Sequence, residues 1–291
     1  MAAKFPVIDW AHVDRLIDLA FAEDLGAAGD VTTNSIIPCD TVITARMRAK
    51  SECVCACLEL AERIFKRLDP DCEWTNKVTD GTLCQPGTVM AEVRGKARAI
   101  LTAERTALNF IQRLAGIATM SRKYASAVAV PGSRTVVLDT RKTTPGFRNL
   151  EKYAVAVGGA SNHRIGLYDR VMMKDNHLAI AGIEGKDAIL RGVAKARAAY
   201  PELEIEVEID SLDQLDEALA SGAEYILLDN MSNEDITEAV KRTAGRAKLE
   251  ASGNITIERL PSLAATGVDF ASSGALTHSV KAADISLDIG F

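Results

Sequence analysis

EIEVEIDSLDQLDEALASGAEYILLD, residues 204–229, holds two short apolar-rich runs separated by a helical segment, and each run ends at or beside an acid, Glu208 and Asp229. The same arrangement recurs on both sides. TVVLDT (135–140), RVMMK (170–174), KLEAS (248–252) and VDFASS (268–273) are further short runs with polar ends. The spacing predicts helices over Lys186–Ala199, Leu212–Ser221, Glu234–Thr243 and Ile257–Ala265. Strands alternating with helices at this interval form βαβ units and a parallel sheet. Six or seven such units fit a closed or nearly closed α/β barrel better than a small open sheet. A doubly wound open sheet is the alternative, since periodicity does not report closure.

The N-terminal part reads differently. ITARMRAK (43–50), WTNKVTD (74–80), TVMAEVRG (88–95) and the final DISLDI (284–289) are half-polar strand candidates, set among Asp-Gly and Pro-Gly turns. Helices are expected around Asp14–Ala22, with Asp9 as the N-cap, and over Leu58–Leu68. An α+β domain of residues 1–113, completed by a returning tail of 276–291, would then pack beside a barrel of 114–275. A long helical pattern, Ala103–Val130, joins the two, with Gly116 as a break.

Composition narrows the functional classes. The 291 residues are 47% hydrophobic and 25% charged, with a formal net charge of −6, as in a globular protein with a full core. The acidic balance argues against a nucleic-acid-binding surface. No apolar run approaches the roughly 18–20 residues that cross a bilayer, and the first residues lack a secretory pattern. A cytoplasmic location is expected, and six cysteines there are free thiols rather than a disulfide framework. Cys53, Cys55 and Cys57 of CVCAC alternate at strand period and are read as buried structural residues. A metal reading is weak, because no C-x-x-C pair is present and His163 and His177 lack zinc spacing.

In parallel barrels, active sites form where strands end at their C-terminal side. Those ends carry Arg141 and Lys142, Lys174, Glu208, Asp229, Ser252-Gly253-Asn254 and Ser272-Ser273-Gly274, and GGASNHR adds His163 and Arg164. Arg grips carboxylates or phosphates bidentately and Lys adds a compact charge, so clustered cations here call for a multiply charged anion. Glu208 and Asp229 suit a hard cation such as Mg²⁺, and the Ser-Gly turns can aim N–H groups at a phosphate. Each residue also has a plainer reading. Arg141 or Lys142 can pair with Asp139 at the rim, His163 can be a structural histidine, Asp229 can cap a helix in competition with Ser232, and Lys174 can form a Schiff base. The combination at successive strand ends outweighs these one by one.

DTRKTTPGFRNLEKYAVAVGGASNHRIGLYDRVMMKDNH (139–177) resembles the signature region of the quinolinate phosphoribosyltransferases, also called carboxylating nicotinate-nucleotide pyrophosphorylases. EDLGAAGDVTT (23–33), AERTALNFIQRLAGIAT (103–119), EVE (206–208), LLDNM (227–231), EASGNI (250–255) and SSGALTHS (272–279) extend the likeness over nearly the whole chain. CVCAC, and Ala115 where Ser is frequent, depart from it. The resemblance implies an N-terminal α+β sandwich plus an open, incomplete parallel α/β barrel. It implies Mg²⁺-dependent transfer of phosphoribosyl from phosphoribosyl pyrophosphate (PRPP) to quinolinate, with release of pyrophosphate and CO₂, in NAD biosynthesis.

By the same resemblance, Arg141, His163, Arg164 and Lys174 hold the quinolinate carboxylates, with Thr140 and Lys142 beside them. Glu208 and Asp229 face the ribose hydroxyls and Mg²⁺, directly or through water. Ser252, Gly253, Asn254, Ser273, Gly274 and Ala275 cradle the 5′-phosphate. Lys142, Lys174, Glu208 and Asp229 are the implied catalytic group. Arg105 enters the neighbouring subunit's site, making a homodimer the smallest working unit. A nicotinate-specific phosphoribosyltransferase and a silent anion-binding homologue are the alternatives; loss of the acids would mark the silent one, and both acids are present.

Overall fold

The computed structural model describes residues 5–289. In chain order the elements are α1 (Trp10–Leu25), α2 (Val31–Ile36), β1 (Val42–Ala49), β2 (Cys53–Val54), α3 (Leu58–Leu68), β3 (Glu73–Asn76), β4 (Leu83–Cys84), β5 (Val89–Lys96) and α4 (Ala97–Ala127). There follow β6 (Val136–Leu138), α5 (Arg148–Val157), β7 (Val171–Met173), α6 (Asp175–Ile180), α7 (Ala188–Ala199), β8 (Ile205–Ile209) and α8 (Leu215–Ala220). The chain ends with β9 (Tyr225–Asp229), α9 (Asn233–Thr243), β10 (Lys248–Ser252), α10 (Leu260–Ala264), β11 (Phe270–Ser272), α11 (Ala275–His278) and β12 (Ile285–Ile289). Two compact units emerge. The first comprises the described residues up to 122, 143–159 and those from 276; the second comprises 123–142 and 160–275. Residues 114–122 and 143–159, assigned to the barrel on sequence, thus fall in the first unit.

The first unit is built on an antiparallel sheet in the order β12-β1-β5-β3, with β2-β4 as a separate short pair. Strand alternation sets its two faces. Ala45, Met47 and Ala49 of β1 are buried, whereas Arg46 and Arg48 turn outward to pair with Glu92 at 2.8 Å and Asp288 at 3.0 Å. α3 presents Leu58, Leu60, Ala61, Ile64 and Phe65 to the core, and the Phe65 ring stacks on Trp74 at 5.7 Å. Asp9 caps α1 by accepting from the His12 amide, as its position in the sequence suggests.

Two local expectations are corrected. Gly116 does not break the connecting helix, because α4 runs unbroken for 31 residues. A Cβ there would come within 3.1 Å of Val280 Cγ1 and 3.2 Å of Ala282 Cα. The glycine admits the returning C-terminal segment, so a packing need was mistaken for a helix stop. CVCAC is not an alternating strand either. Only Cys53–Val54 is extended, Cys57 sits at φ 64°, and Cys53, Val54, Cys55, Ala56 and Cys57 are all buried. Burial raises the thiol of Cys53 to about 11 and pushes those of Cys55 and Cys57 up as well, which keeps them protonated and inert.

The second unit is a six-stranded parallel sheet in the order β6-β11-β10-β9-β8-β7. From β7 to β11 each strand lies beside its successor. The far side of β11 then takes β6, the first strand of the series. First beside last means that the sheet curls into a ring, which decides for the barrel over the doubly wound alternative. Among the described residues the ring has one gap, between β6 and β7, where Ser161 makes an isolated parallel bridge to Leu138. The barrel is open.

Candidate active site

The barrel strands are short, and their inward side chains stack in layers. On β8, Glu206 and Glu208 are two residues apart and share one face; on β9, Leu227 and Asp229 do the same. The register aligns Glu208 with Leu227 and Asp229 with Ser252. Polar groups thus form a rim at the strand ends, with a second layer two residues back. A cavity of about 410 Å³ opens between them, the size of a small-ligand site.

Nine sequence-predicted residues line it: Thr140, Arg141, Lys142, His163, Arg164, Lys174, Glu208, Asp229 and Ser252. Gly253, Asn254, Ser273, Gly274 and Ala275 lie just beyond the strand ends and do not line the cavity. Arg105 lies on α4 in the first unit, where it is exposed. Met172, Leu227, Glu250 and Ser272 complete the wall. Ser272 stands in the SSG turn, but the other three were missed as lining residues. Counting back two from Lys174, Asp229 and Ser252 would have found them, since period-two neighbours share the barrel interior.

The cationic wall is fixed by Asp139, which is fully buried at the end of β6. Its two oxygens accept from the His163 amide and the Asn162 side chain, each at 2.8 Å. This ties the 161–164 segment to the strand carrying Arg141. Asp139 therefore serves as the anchor of the NHR block, in addition to any part in a rim ion pair. Arg164 donates to the Arg170 carbonyl at 3.1 Å. Desolvation, and after it the charge of Arg141, lower its pKa from the usual arginine range. Two guanidinium groups near enough to feel each other's charge can receive an anion between them. Across the pocket, Lys174 is paired with Glu208. Ser232, not Asp229, caps α9, accepting from the Asp235 amide at 3.1 Å, which leaves the Asp229 carboxylate to the pocket, where it accepts from Asn230 Nδ2 at 2.9 Å.

Below the rim lies a cluster that no linear motif announces. His163 Nε2 stands 3.1 Å from Glu206 Oε2 and 3.2 Å from Glu250 Oε2, and all three residues are buried. Burial alone would lower the His163 pKa, but the two carboxylates overcome it and raise the value to about 9. Above that pH the neutral ring accepts the Arg164 amide at Nδ1, a 2.7 Å contact. A folded-state pKa raised above the unfolded value of about 6.5 contributes stability that is whole below pH 6.5 and lost as pH climbs through 9. The melting temperature of the wild type is therefore expected to fall relative to His163→Asn between pH 6 and 9.5. Parallel melting curves over that range would refute the assignment.

Residues 30–115 match the family described as quinolinate phosphoribosyl transferase, N-terminal domain, and residues 117–288 match its C-terminal domain. A curated Bacillus subtilis protein, "probable nicotinate-nucleotide pyrophosphorylase [carboxylating]", is 45% identical over 96% of this chain and 93% of its own. A chloroplastic carboxylating nicotinate-nucleotide pyrophosphorylase from Oryza sativa is 43% identical over 99% of this chain and 81% of its own. Among solved structures, NadC from Streptococcus pyogenes superposes with a TM-score of 0.92 at 38% identity, covering 98% of this chain and 99% of that one. The nicotinate-nucleotide pyrophosphorylase of Francisella tularensis gives 0.90 at 39% identity, covering 99% and 98%.

Proposed function

As a member of the quinolinate phosphoribosyltransferase family, matched in both of its domains, the chain is a decarboxylating pentosyltransferase of NAD biosynthesis, and we propose that the barrel pocket is where it joins quinolinate to PRPP. The observation that carries this reading is the convergence of four cations, Arg141, Lys142, Arg164 and Lys174, and two acids, Glu208 and Asp229, on one pocket. The cations hold the two carboxylates of the pyridine, and the acids face the pentose.

The chemistry follows from those positions. The ring nitrogen bonds to the anomeric carbon as the pyrophosphate oxygen leaves, through an oxocarbenium-like state that the carboxylates of Glu208 and Asp229 favour. The nitrogen then carries positive charge. The adjacent carbon–carboxylate bond breaks, CO₂ departs, and the electron pair left on the ring carbon takes a proton from water. Arg141 and Arg164 perform a positioning task in both steps. Glu208 and Asp229 offer the hard oxygen donors that Mg²⁺ prefers, and because Glu208 is shared with Lys174 the ion is best accommodated together with the substrate's phosphates. When bound, it would neutralise charge on the departing pyrophosphate. The proposed location is the cytoplasm. The smallest working assembly is a homodimer in which Arg105 completes the neighbouring subunit's site.

Quinolinate is favoured over nicotinate by the cation count, since a monocarboxylate needs fewer counter-charges. Release of labelled CO₂ from carboxyl-labelled quinolinate is expected only when both PRPP and Mg²⁺ are present, with little transfer to nicotinate. Release without PRPP, or equal use of nicotinate, would overturn the substrate assignment.

A further inference from the structure

Arg259 lies outside the pocket wall, at the N-cap of α10. Its half-buried guanidinium reaches two loops at once. Nη2 donates to the Met231 carbonyl at 2.7 Å and to Asn233 Oδ1 at 3.2 Å, and Nε donates to the same Asn233 oxygen at 3.3 Å. Nη1 donates to the Gly253 carbonyl at 3.3 Å. Met231 and Asn233 follow Asp229 after β9, whereas Gly253 belongs to the Ser252–Asn254 turn after β10.

These loops touch more closely than ordinary residues allow. Gly253 has φ +86°, and a Cβ on it would overlap the Asn230 side-chain oxygen and come within 2.6 Å of Asn230 Cγ. Asn230 and Asn254 are also in the left-handed region, at φ 55° and 52°. Asn254 Nδ2 donates to Asn230 Oδ1 at 3.2 Å, and the Asn230 amide donates to the Ser252 carbonyl at 2.9 Å. Left-handed backbone at two non-glycine residues, Asn230 and Asn254, carries a conformational cost and persists where the surroundings hold it. Arg259 adds a guanidinium brace to these direct contacts, bonding to the segment after β9 and to the turn after β10 from outside the pocket.

We propose that Arg259 is a positioning residue, fixing the spacing between the Asp229 carboxylate and the Ser252–Asn254 turn and so between the pentose and phosphate ends of PRPP. This rests on the pocket assignment above. The task suits a planar fork whose donors point in several directions, and a lysine ammonium cannot reproduce it. Arg259 does not line the pocket, and its effect is carried by the Met231 and Gly253 carbonyls and the Asn233 side chain that it grips.

The test is steady-state kinetics of Arg259→Lys and Arg259→Gln with both substrates, alongside melting temperatures. Expected is a rise of about tenfold or more in KM for PRPP in both variants, with KM for quinolinate changed less than about threefold. Arg259→Lys should fail to rescue although it keeps the charge. Equal rises in both KM values that track a fall in melting temperature would reduce Arg259 to a general stabiliser. Unchanged PRPP kinetics would also overturn the proposal. Arg141→Ala run in parallel separates the two levels: if it leaves quinolinate kinetics normal, the pocket assignment has failed, and if only the Arg259 variants behave as wild type, this inference alone falls.

Discussion

Arg141→Ala is expected to lower kcat/KM for quinolinate by about 10- to 200-fold or more. The guanidinium lines the pocket on the wall that Asp139 anchors. Its removal deletes at least one charge-assisted contact, worth roughly 1.5–3 kcal/mol, and each 1.36 kcal/mol is about tenfold in rate. Arg164→Ala should fall in the same range, because Arg164 lies in the 161–164 segment that Asp139 ties to the Arg141 strand, and it feels the charge of Arg141. Arg141→Lys should recover part of the loss, since charge survives while the planar fork does not. Near-normal quinolinate kinetics in both alanine variants would refute the pocket.

The second large effect is restoration. Arg105→Ala and Arg141→Ala should each be nearly inactive alone, yet an equal mixture allowed to exchange subunits should regain about a quarter of wild-type activity. In a two-fold dimer with shared sites, random exchange makes half of the dimers mixed. Each mixed dimer then has one site with both arginines intact and one with neither. Activity that stays at the level of the separate variants would show that Arg105 acts within its own subunit or not at all.

The barrel could be read from the chain because its units repeat a run, a polar end and a helix at regular intervals. The rim could be read because each polar end coincides with a strand terminus, as at Lys174, Glu208 and Asp229. Three features escaped because their causes lie far off in the chain. Gly116 is explained by residues 280–282. The cysteines of CVCAC are buried as read, but the strand stops at Val54 and Ala56 is covered too, because tertiary packing overrides the apparent alternation. His163 acquires its character from Glu206 and Glu250 on two separate strands, and only the register of β8 to β10 brings them together. The linking role of Arg259 is invisible for the same reason, since its partners lie on two other turns.

The seam between β6 and β7 has a thermodynamic consequence. Arg141 follows one lip of that opening and Lys174 follows the other, while Asp229 and Ser252 ride on interior strands with neighbours on both sides. A dianion held as proposed from both lips would act as a rivet, joining edges that no ladder of main-chain bonds connects among the described residues. Amide protons along β7 should therefore exchange faster than those of β9 in the free enzyme and slow on adding the pyridine dicarboxylate, so that the substrate mends the barrel it occupies.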